Sequence, residues 1–201
     1  MGNLKEELSR IFSKTDPAMD SFFRMDGVVA EPLATPFLVN GGIARVTNRA
    51  ARVARPTYVG FAGHDFAEFL PGHREAFARL VSKAGVNIAT DELRAAFVQT
   101  FLETTAKQPS RFFLLTSVDQ INARPGLSVD EQAAFTAFVA KYKNVITAPP
   151  IQASDGRWST MRYAIVDRDL VEFDVSLSPS GAVDVKETVL EKDLLIPYVM
   201  H

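Results

Sequence analysis

The chain has 201 residues, no cysteine and a formal net charge of -2. Without cysteine it can form no disulfide, no thiol nucleophile and no thiolate metal site, and the balanced charge argues against nucleic acid as a partner. No run of about 18 apolar residues occurs, so the sequence predicts a soluble, cytoplasmic protein with no membrane span. Phe is abundant, with 15 residues against four Tyr and one Trp. This predicts a Phe-rich core, with an apolar ligand cavity as the alternative.

The N-terminal part of the chain predicts two short helices and a hairpin. Apolar residues from Leu4 to Phe12 recur at helical spacing, and Asp16 followed by Pro17 is a typical helix start. Because Asn-Gly is a strong turn signal, we expect a hairpin over residues 37–47 that turns at Asn40 and Gly41.

The next segment contains an unusual group of arginines. Between Glu31 and Asp65 there is no acidic residue, and four arginines follow steps of four, three and three: Arg45, Arg49, Arg52 and Arg55. On a helix this spacing would place the four guanidinium groups on one side. They are candidates for binding a carboxylate or phosphate, because a planar guanidinium donates two parallel hydrogen bonds. A solvated helix face is the alternative.

Two of the three histidines, His64 and His73, follow within a glycine-rich stretch. If residues 65–70 form a helical turn, His64 and Glu68 lie on one side of it, next to Asp65. These three residues are the candidates for a proton-transfer site, since a histidine held by a carboxylate can act as acid or base. The alternative is that His64 caps a turn and His73 is a surface residue.

The middle of the chain predicts three further helices. The first ends at Gly85, the second begins at Thr90 and Asp91, and Ser128 with Glu131 forms a capping box that begins the third. The run from Phe112 to Leu115 fits either a buried strand or a helix. Paired prolines and a Ser-Asp-Gly sequence then predict a linker over residues 149–156.

The last fifth of the chain predicts an antiparallel meander. Val171, Phe173 and Val175 alternate with polar residues, as expected for a strand with one apolar face. Residues that lie opposite each other in an antiparallel pair share a face, which sets Val175 against Val185 and Val171 against Val189.

This register has two further consequences. It sets Asp174 against Lys186, which are opposite charges, and it closes a three-residue loop over 179–181 with Gly181 in the left-handed conformation. By the same argument Met161, Tyr163 and Ile165 share the apolar face, and their strand turns at residues 167–169. Glu187 would lie on that face, opposite Phe173.

Other site motifs are missing from the sequence. There is no glycine-rich phosphate loop and no nucleophile elbow. An acidic cluster lies at the meander's first turn and consists of Asp167, Asp169, Glu172 and Asp174. Only Glu172 and Asp174 share a strand face, and a solvent-facing sheet explains them without a metal. We therefore expect no metal and no cofactor.

Together these observations predict an α+β fold in a single domain, 1–201. It comprises a helical and hairpin part (1–148), the linker (149–156) and the meander part (157–201), with the three-stranded meander at about 158–190 packed against a Phe-rich helical layer. We expect a binding or accessory domain that holds a small anionic or amphipathic ligand between sheet and helices. The alternatives are an enzyme centred on His64 and a protein-protein adaptor. The open edge of the sheet could also join copies of the chain in a homo-oligomer.

Overall fold

The computed structural model describes residues 3–52, 55–147 and 151–197. The chain divides into two compact units, Met1–Lys107 and Gln108–His201. Each unit contains one antiparallel sheet together with helices, so the α+β class is confirmed. The assignment of the whole chain to one domain stays a prediction. Of the predicted linker, residues 149 and 150 lie outside the described residues, and residues 152–154 form a short strand.

Helices and strands follow one another along the chain in a mixed order. The helices are α1 (Leu4–Thr15), α2 (Pro17–Arg24), α3 (Arg74–Ala84), α4 (Asp91–Thr105) and α5 (Val129–Tyr142), with a 3₁₀ turn at Val118–Gln120. The strands are β1 (Val28–Leu33), β2 (Gly41–Asn48), β3 (Thr57–Ala62), β4 (Phe66–Phe69), β5 (Phe112–Leu115), β6 (Gln152–Ser154), β7 (Arg157–Val166), β8 (Asp169–Leu177) and β9 (Val183–Glu191).

Side-chain caps begin several of the helices at the predicted positions. Asp16 accepts hydrogen bonds from the backbone N–H groups of Ala18 and Met19, which starts α2. Thr90 caps α4 through the N–H of Leu93. Such caps satisfy backbone donors that a helix cannot satisfy itself, which is why short polar residues locate helix starts well.

The first unit is a four-stranded sheet in the order β1-β2-β3-β4. Helices α1 and α2 pack on the face that carries Ala44, Val46 and Val59. Helix α3 packs on the other face, where Leu80 approaches Gly60. Phenylalanine rings form edge-to-face pairs between α3, α4 and the loop before β2: Phe37 with Phe97, and Phe77 with Phe97 and Phe101. The Phe-rich core is therefore present in this unit.

The N-terminal hairpin differs in detail from the predicted span of 37–47. It is formed by β1 and β2, and residues 37–39 belong to the connection between them, where Leu38 forms an isolated bridge with Val86. Pro32 lies within β1, where it pairs with Ala44 of β2. Strand β1 is an edge strand, and there a proline's missing N–H faces away from the ladder. Asn40 therefore ends the connection and Gly41 begins β2, so the pair does not form a two-residue hairpin turn.

The second unit is built on a five-stranded sheet in which β5 and β6 both pair with β7, followed by β8 and β9. The β8–β9 register agrees with the prediction: Val175 lies opposite Val185, Val171 opposite Val189 and Asp174 opposite Lys186. Gly181 has a φ of 83° in the connecting loop, as expected. The predicted meander thus forms β7, β8 and β9 of a larger sheet, with β9 at its edge.

The β7–β8 turn is one residue shorter than predicted, which reverses the faces of β7. Val166 pairs with Asp169, so Ile165 lies opposite Leu170 and Tyr163 opposite Glu172. The prediction that Met161, Tyr163 and Ile165 share a face with the apolar residues of β8 is therefore wrong. Asp167 adopts a φ of 56°, and a short polar side chain tolerates this left-handed conformation in a two-residue turn.

Helix α5 packs on the face of the sheet that carries Tyr163 and Ile165. The core there consists of buried side chains from the sheet, α5 and the segments around them: Leu115, Val118, Ile121, Tyr142, Ile146, Tyr163, Ile165, Leu170, Leu194 and Ile196. Helix α5 contributes Phe135, Phe138 and Val139 as half-buried neighbours of this core. Among the described residues, no helix combines the length and apolar character that crossing a membrane requires.

Candidate functional site

The second unit contains an open groove of about 340 Å³ between α5 and the segment that follows β9. We call it the α5 groove. Its wall on the helix side is formed by Ala134, Phe135, Ala137, Phe138 and Lys141, and its other wall by residues 191–195. Ala134, Ala137 and Lys141 are exposed, so the groove is open to solvent along its length. Ligand pockets are commonly about 300–1,000 Å³, which makes this one suitable for a small molecule.

Two rings on the helix side, Phe135 and Phe138, form the floor of the groove, and they belong to a row of aromatic rings along α5 that continues to Tyr142. The ring centroids of Phe135 and Phe138 are 5.9 Å apart, and those of Phe138 and Tyr142 are 5.2 Å apart. Residues three or four apart lie on the same side of a helix, so their spacing in the sequence produces this row. The helix begins at the predicted capping box, in which Ser128 accepts from the N–H of Glu131 and Glu131 accepts from the N–H of Ser128.

The other wall is held in place by backbone hydrogen bonds. The N–H of Leu194 donates to the carbonyl of Arg168 at 2.8 Å, and the Arg168 guanidinium donates back to the carbonyl of Leu194 at 3.2 Å. The N–H of Asp193 donates to the Asp169 carboxylate, and the N–H of Arg124 donates to the carbonyl of Leu195. These bonds link the wall to the β7–β8 turn and to the chain before α5, so the groove is largely preformed.

One end of the groove carries a small polar network around Glu191. Its Oε1 atom accepts from the Lys141 ammonium at 2.6 Å and from the Tyr142 hydroxyl at 2.8 Å. The Lys141 ammonium also lies 4.9 Å from the centre of the Tyr142 ring, a distance at which a cation is attracted to the ring face. Glu191 retains about a third of its side-chain exposure, so the network lies at the rim.

The network shifts the titration of its three members. Hydrogen bonds from Lys141 and then from Tyr142 lower the pKa of Glu191. The hydrogen bond to Glu191 raises the pKa of Lys141. Burial, followed by the bond to Glu191, raises the pKa of Tyr142. At neutral pH the three groups therefore keep the ionic state in which both donors retain their protons.

The structure places the four predicted arginines on and after strand β2, so the predicted helix is wrong. Arg45 lies in β2, opposite Glu31 on one side and Tyr58 on the other. Arg49 follows the strand and lies 3.2 Å from a Glu31 oxygen, and Arg52 and Arg55 are exposed. The β-branched residues of this segment pair between two strands, which outweighs the helical spacing of the arginines. Anion binding by these residues stays a prediction.

The structure does not bring His64 and Glu68 together. His64 lies in the β3–β4 turn with 89% of its side chain exposed, and its Nδ1 is 3.7 Å from Glu7 Oε1. Glu68 accepts from the Arg79 guanidinium at 2.6–3.0 Å. The predicted helical turn over 65–70 is wrong, because residues 66–69 pair with β3 as a strand. A proton-transfer role for His64, Asp65 or Glu68 stays a prediction.

The remaining polar candidates have structural partners. His73 precedes α3, with its Nδ1 3.3 Å from Glu75 Oε1. In the acidic cluster, the Asp167 carboxylate accepts from the N–H of Arg111, and Asp174 lies opposite Lys186. Within the described ranges, no group of three or more His, Asp or Glu side chains could hold a metal ion.

No family model matches the chain, and no curated protein or solved structure matches it. The residues that give the α5 groove its character were not among the predicted site residues. The sequence signal that indicates this groove is the composition of α5, which carries apolar residues on its outer side as well as on its inner side.

Proposed function

We propose that this protein is a non-catalytic binding domain that holds a small amphipathic ligand in the α5 groove. The observation that supports the proposal is the combination of an aromatic floor with a polar rim in one preformed groove. The apolar part of the ligand lies over Phe135 and Phe138. Its polar end lies near Lys141 and Lys192.

The apolar part of the ligand supplies most of the binding energy. Burial of apolar surface is favourable by roughly 25 cal/mol per Å². The floor is only half-buried in the free protein, so a ligand that covers Phe135 and Phe138 removes both its own surface and theirs from water. Since the walls are already held by hydrogen bonds, little ordering opposes this gain.

The polar end of the ligand is anionic in this proposal. Glu191 already accepts from two donors, which reduces its attraction for a cationic ligand. Lys192 lies at the rim, is exposed, and has no ion pair within the described part of the chain. Lys192 can therefore donate to a carboxylate or phosphate, and Lys141 can add a hydrogen bond from an N–H that does not point at Glu191.

A fatty acid of moderate length is the simplest probe of this proposal. Decanoate has about 12 non-hydrogen atoms, and at about -0.3 kcal/mol per atom we expect a Kd of about 2 mM. Titration followed by ¹H–¹⁵N NMR measures binding in this range. Decyltrimethylammonium has the same alkyl chain with a cationic end, and we expect it to bind more weakly than decanoate.

The helix offers a matched pair of variants for the same titration. Ala137 lines the groove, and Ala140, one turn further along, is also exposed but does not line it. We expect Ala137→Leu to weaken decanoate binding at least fivefold because the larger side chain fills the groove, while Ala140→Leu leaves binding unchanged. No saturable binding of either probe at several times the expected Kd, or equal weakening by both variants, contradicts the proposal.

A further inference from the structure

Strand β9 forms one edge of the sheet in the second unit. It runs over nine residues and, within the described ranges, pairs only with β8. Val189 on this strand is 47% exposed. An edge strand presents a row of N–H and C=O groups that can pair with another strand. The part of β9 around Val185 does not line the α5 groove, which the strand reaches with its last residue, Glu191.

We propose that the free edge of β9 binds the same edge of a second copy of this chain. The two strands run antiparallel about a two-fold axis at Val185, which joins the two sheets into one. A two-fold axis perpendicular to the sheet keeps the same face of both copies on one side and sets the residue on the axis opposite its own copy. Val185, which is half-buried, lies opposite Val185 of the second copy.

Charge complementarity favours a second copy of this chain as the partner of β9, and it favours this register. Asp184 and Lys186 are the neighbours of Val185, and both are exposed. Centring the pair on Val185 sets Asp184 opposite Lys186 of the second copy, and Lys186 opposite Asp184 of the second copy. Opposite charges that lie directly across an antiparallel pair are stabilising.

The charges on the neighbouring strands continue this pattern. Within one copy, the Arg157 guanidinium on β7 donates to the Asp184 carboxylate, and Asp174 on β8 lies opposite Lys186. Pairing two copies at Val185 therefore creates a row of alternating charges across the joined sheet. The row begins with Arg157 and Asp184 of one copy and continues with Lys186 and Asp174 of the second copy. The two-fold axis generates a second, equivalent row.

Other symmetric registers bring like charges together or lose the complementary pairs. An axis at Asp184, Lys186 or Glu187 sets each of these residues opposite its own copy, which is repulsive. The axis at Glu187 would give the longest overlap of the two strands, so repulsion at that position disfavours the otherwise best alternative. An axis at Thr188 avoids repulsion but matches no opposite charges within the strand.

The absence of cysteine from the chain permits a direct test of the register. Residues directly opposite in an antiparallel pair have Cα atoms roughly 4.5–5.5 Å apart, which suits a disulfide. In the proposed dimer Val185→Cys meets its own copy. Glu187→Cys would lie about 13 Å from its copy, because four residues at about 3.3 Å each separate them.

We expect mild oxidation to cross-link Val185→Cys at least tenfold faster than Glu187→Cys or Val189→Cys. Faster cross-linking of either other variant overturns the proposed register. Sedimentation velocity of the unmodified chain provides a second measurement that needs no variant, and we expect a concentration-dependent dimer. A monomer at every concentration up to about 1 mM overturns the proposal.

Charge reversal tests the complementarity itself. Lys186→Asp places two pairs of like charges across the axis, and we expect it to abolish the dimer. Mixing this variant with an equal amount of Asp184→Lys restores both opposite pairs between unlike copies, with one changed position in each chain, and we expect a mixed dimer to form. No mixed dimer from two variants whose circular dichroism is unchanged overturns the argument. Ala137→Leu, which fills the α5 groove, leaves dimerisation unaffected, so this inference and the proposed function fail independently.

Discussion

Replacing Tyr142 with Phe tests the polar network at the end of the α5 groove. The Tyr142 side chain is buried, and its hydroxyl donates to Glu191 Oε1 at 2.8 Å. The substitution removes this hydrogen bond and keeps the ring. Lys141 remains 2.6 Å from the same oxygen, so Glu191 does not become an unpaired buried charge.

The expected cost follows from the environment of Glu191. Hydrogen bonds to charged groups contribute about 1.5–3 kcal/mol. Because Glu191 keeps about a third of its side-chain exposure, water replaces part of the lost bond. We therefore expect Tyr142→Phe to lower the free energy of unfolding by about 1–1.5 kcal/mol at pH 7.

The measurement is urea denaturation followed by the fluorescence of Trp158. This is the only tryptophan, and it lies in β7 of the same unit. In the folded state hydrogen bonds lower the pKa of Glu191 from 4.5. A lowered carboxyl pKa gives stability that is present above pH 4.5 and is lost as the pH falls through the folded-state pKa.

The effect of Tyr142→Phe should therefore shrink in acid. We expect it to be smaller at about pH 3 than at pH 7, because part of the Glu191 population loses its charge in acid. In a Glu191→Gln background the acceptor is neutral, and we expect the substitution to cost about 0.5–1 kcal/mol less. An equal cost at both pH values and in both backgrounds would refute the reasoning.

Two further substitutions test the packing of the two units. Gly60→Ala in β3 would place a Cβ atom 2.7 Å from Leu80 Cδ2, so we expect a loss of about 1–3 kcal/mol in urea denaturation followed by circular dichroism. Combined with Leu80→Ala, it should cost less than the sum of the single changes, and strict additivity would count against this contact. Ser128→Ala removes the cap of α5, and we expect a loss of about 0.5–2 kcal/mol by Trp158 fluorescence; no change at the urea midpoint would show that the cap contributes nothing.

The β8–β9 hairpin shows how much of this fold can be predicted from sequence alone. Alternation and a glycine at the third loop position together determine its register, and the structure agrees. The neighbouring β7–β8 turn could not be predicted in the same way. Its two-residue form depends on Asp167 adopting a left-handed conformation, and a sequence of three polar residues fits turns of either length.

The candidate site was harder to predict than the fold. Its polar network joins Glu191 to Lys141 and Tyr142, which lie 50 and 49 residues earlier in the chain. No local pattern connects residues so far apart. For the arginines after Glu31 a local pattern exists but is misleading. Their spacing fits a helix, whereas pairing between strands places Arg45 in β2.

The position at which decanoate binds is the most direct test of the proposed function. In ¹H–¹⁵N spectra recorded during a titration, we expect the largest shifts at Ala134, Ala137 and Leu194, which line the α5 groove. We expect the same peaks to stop moving at one common ligand concentration. Largest shifts around Arg45 or His64, with the α5 peaks unmoved, would contradict the account.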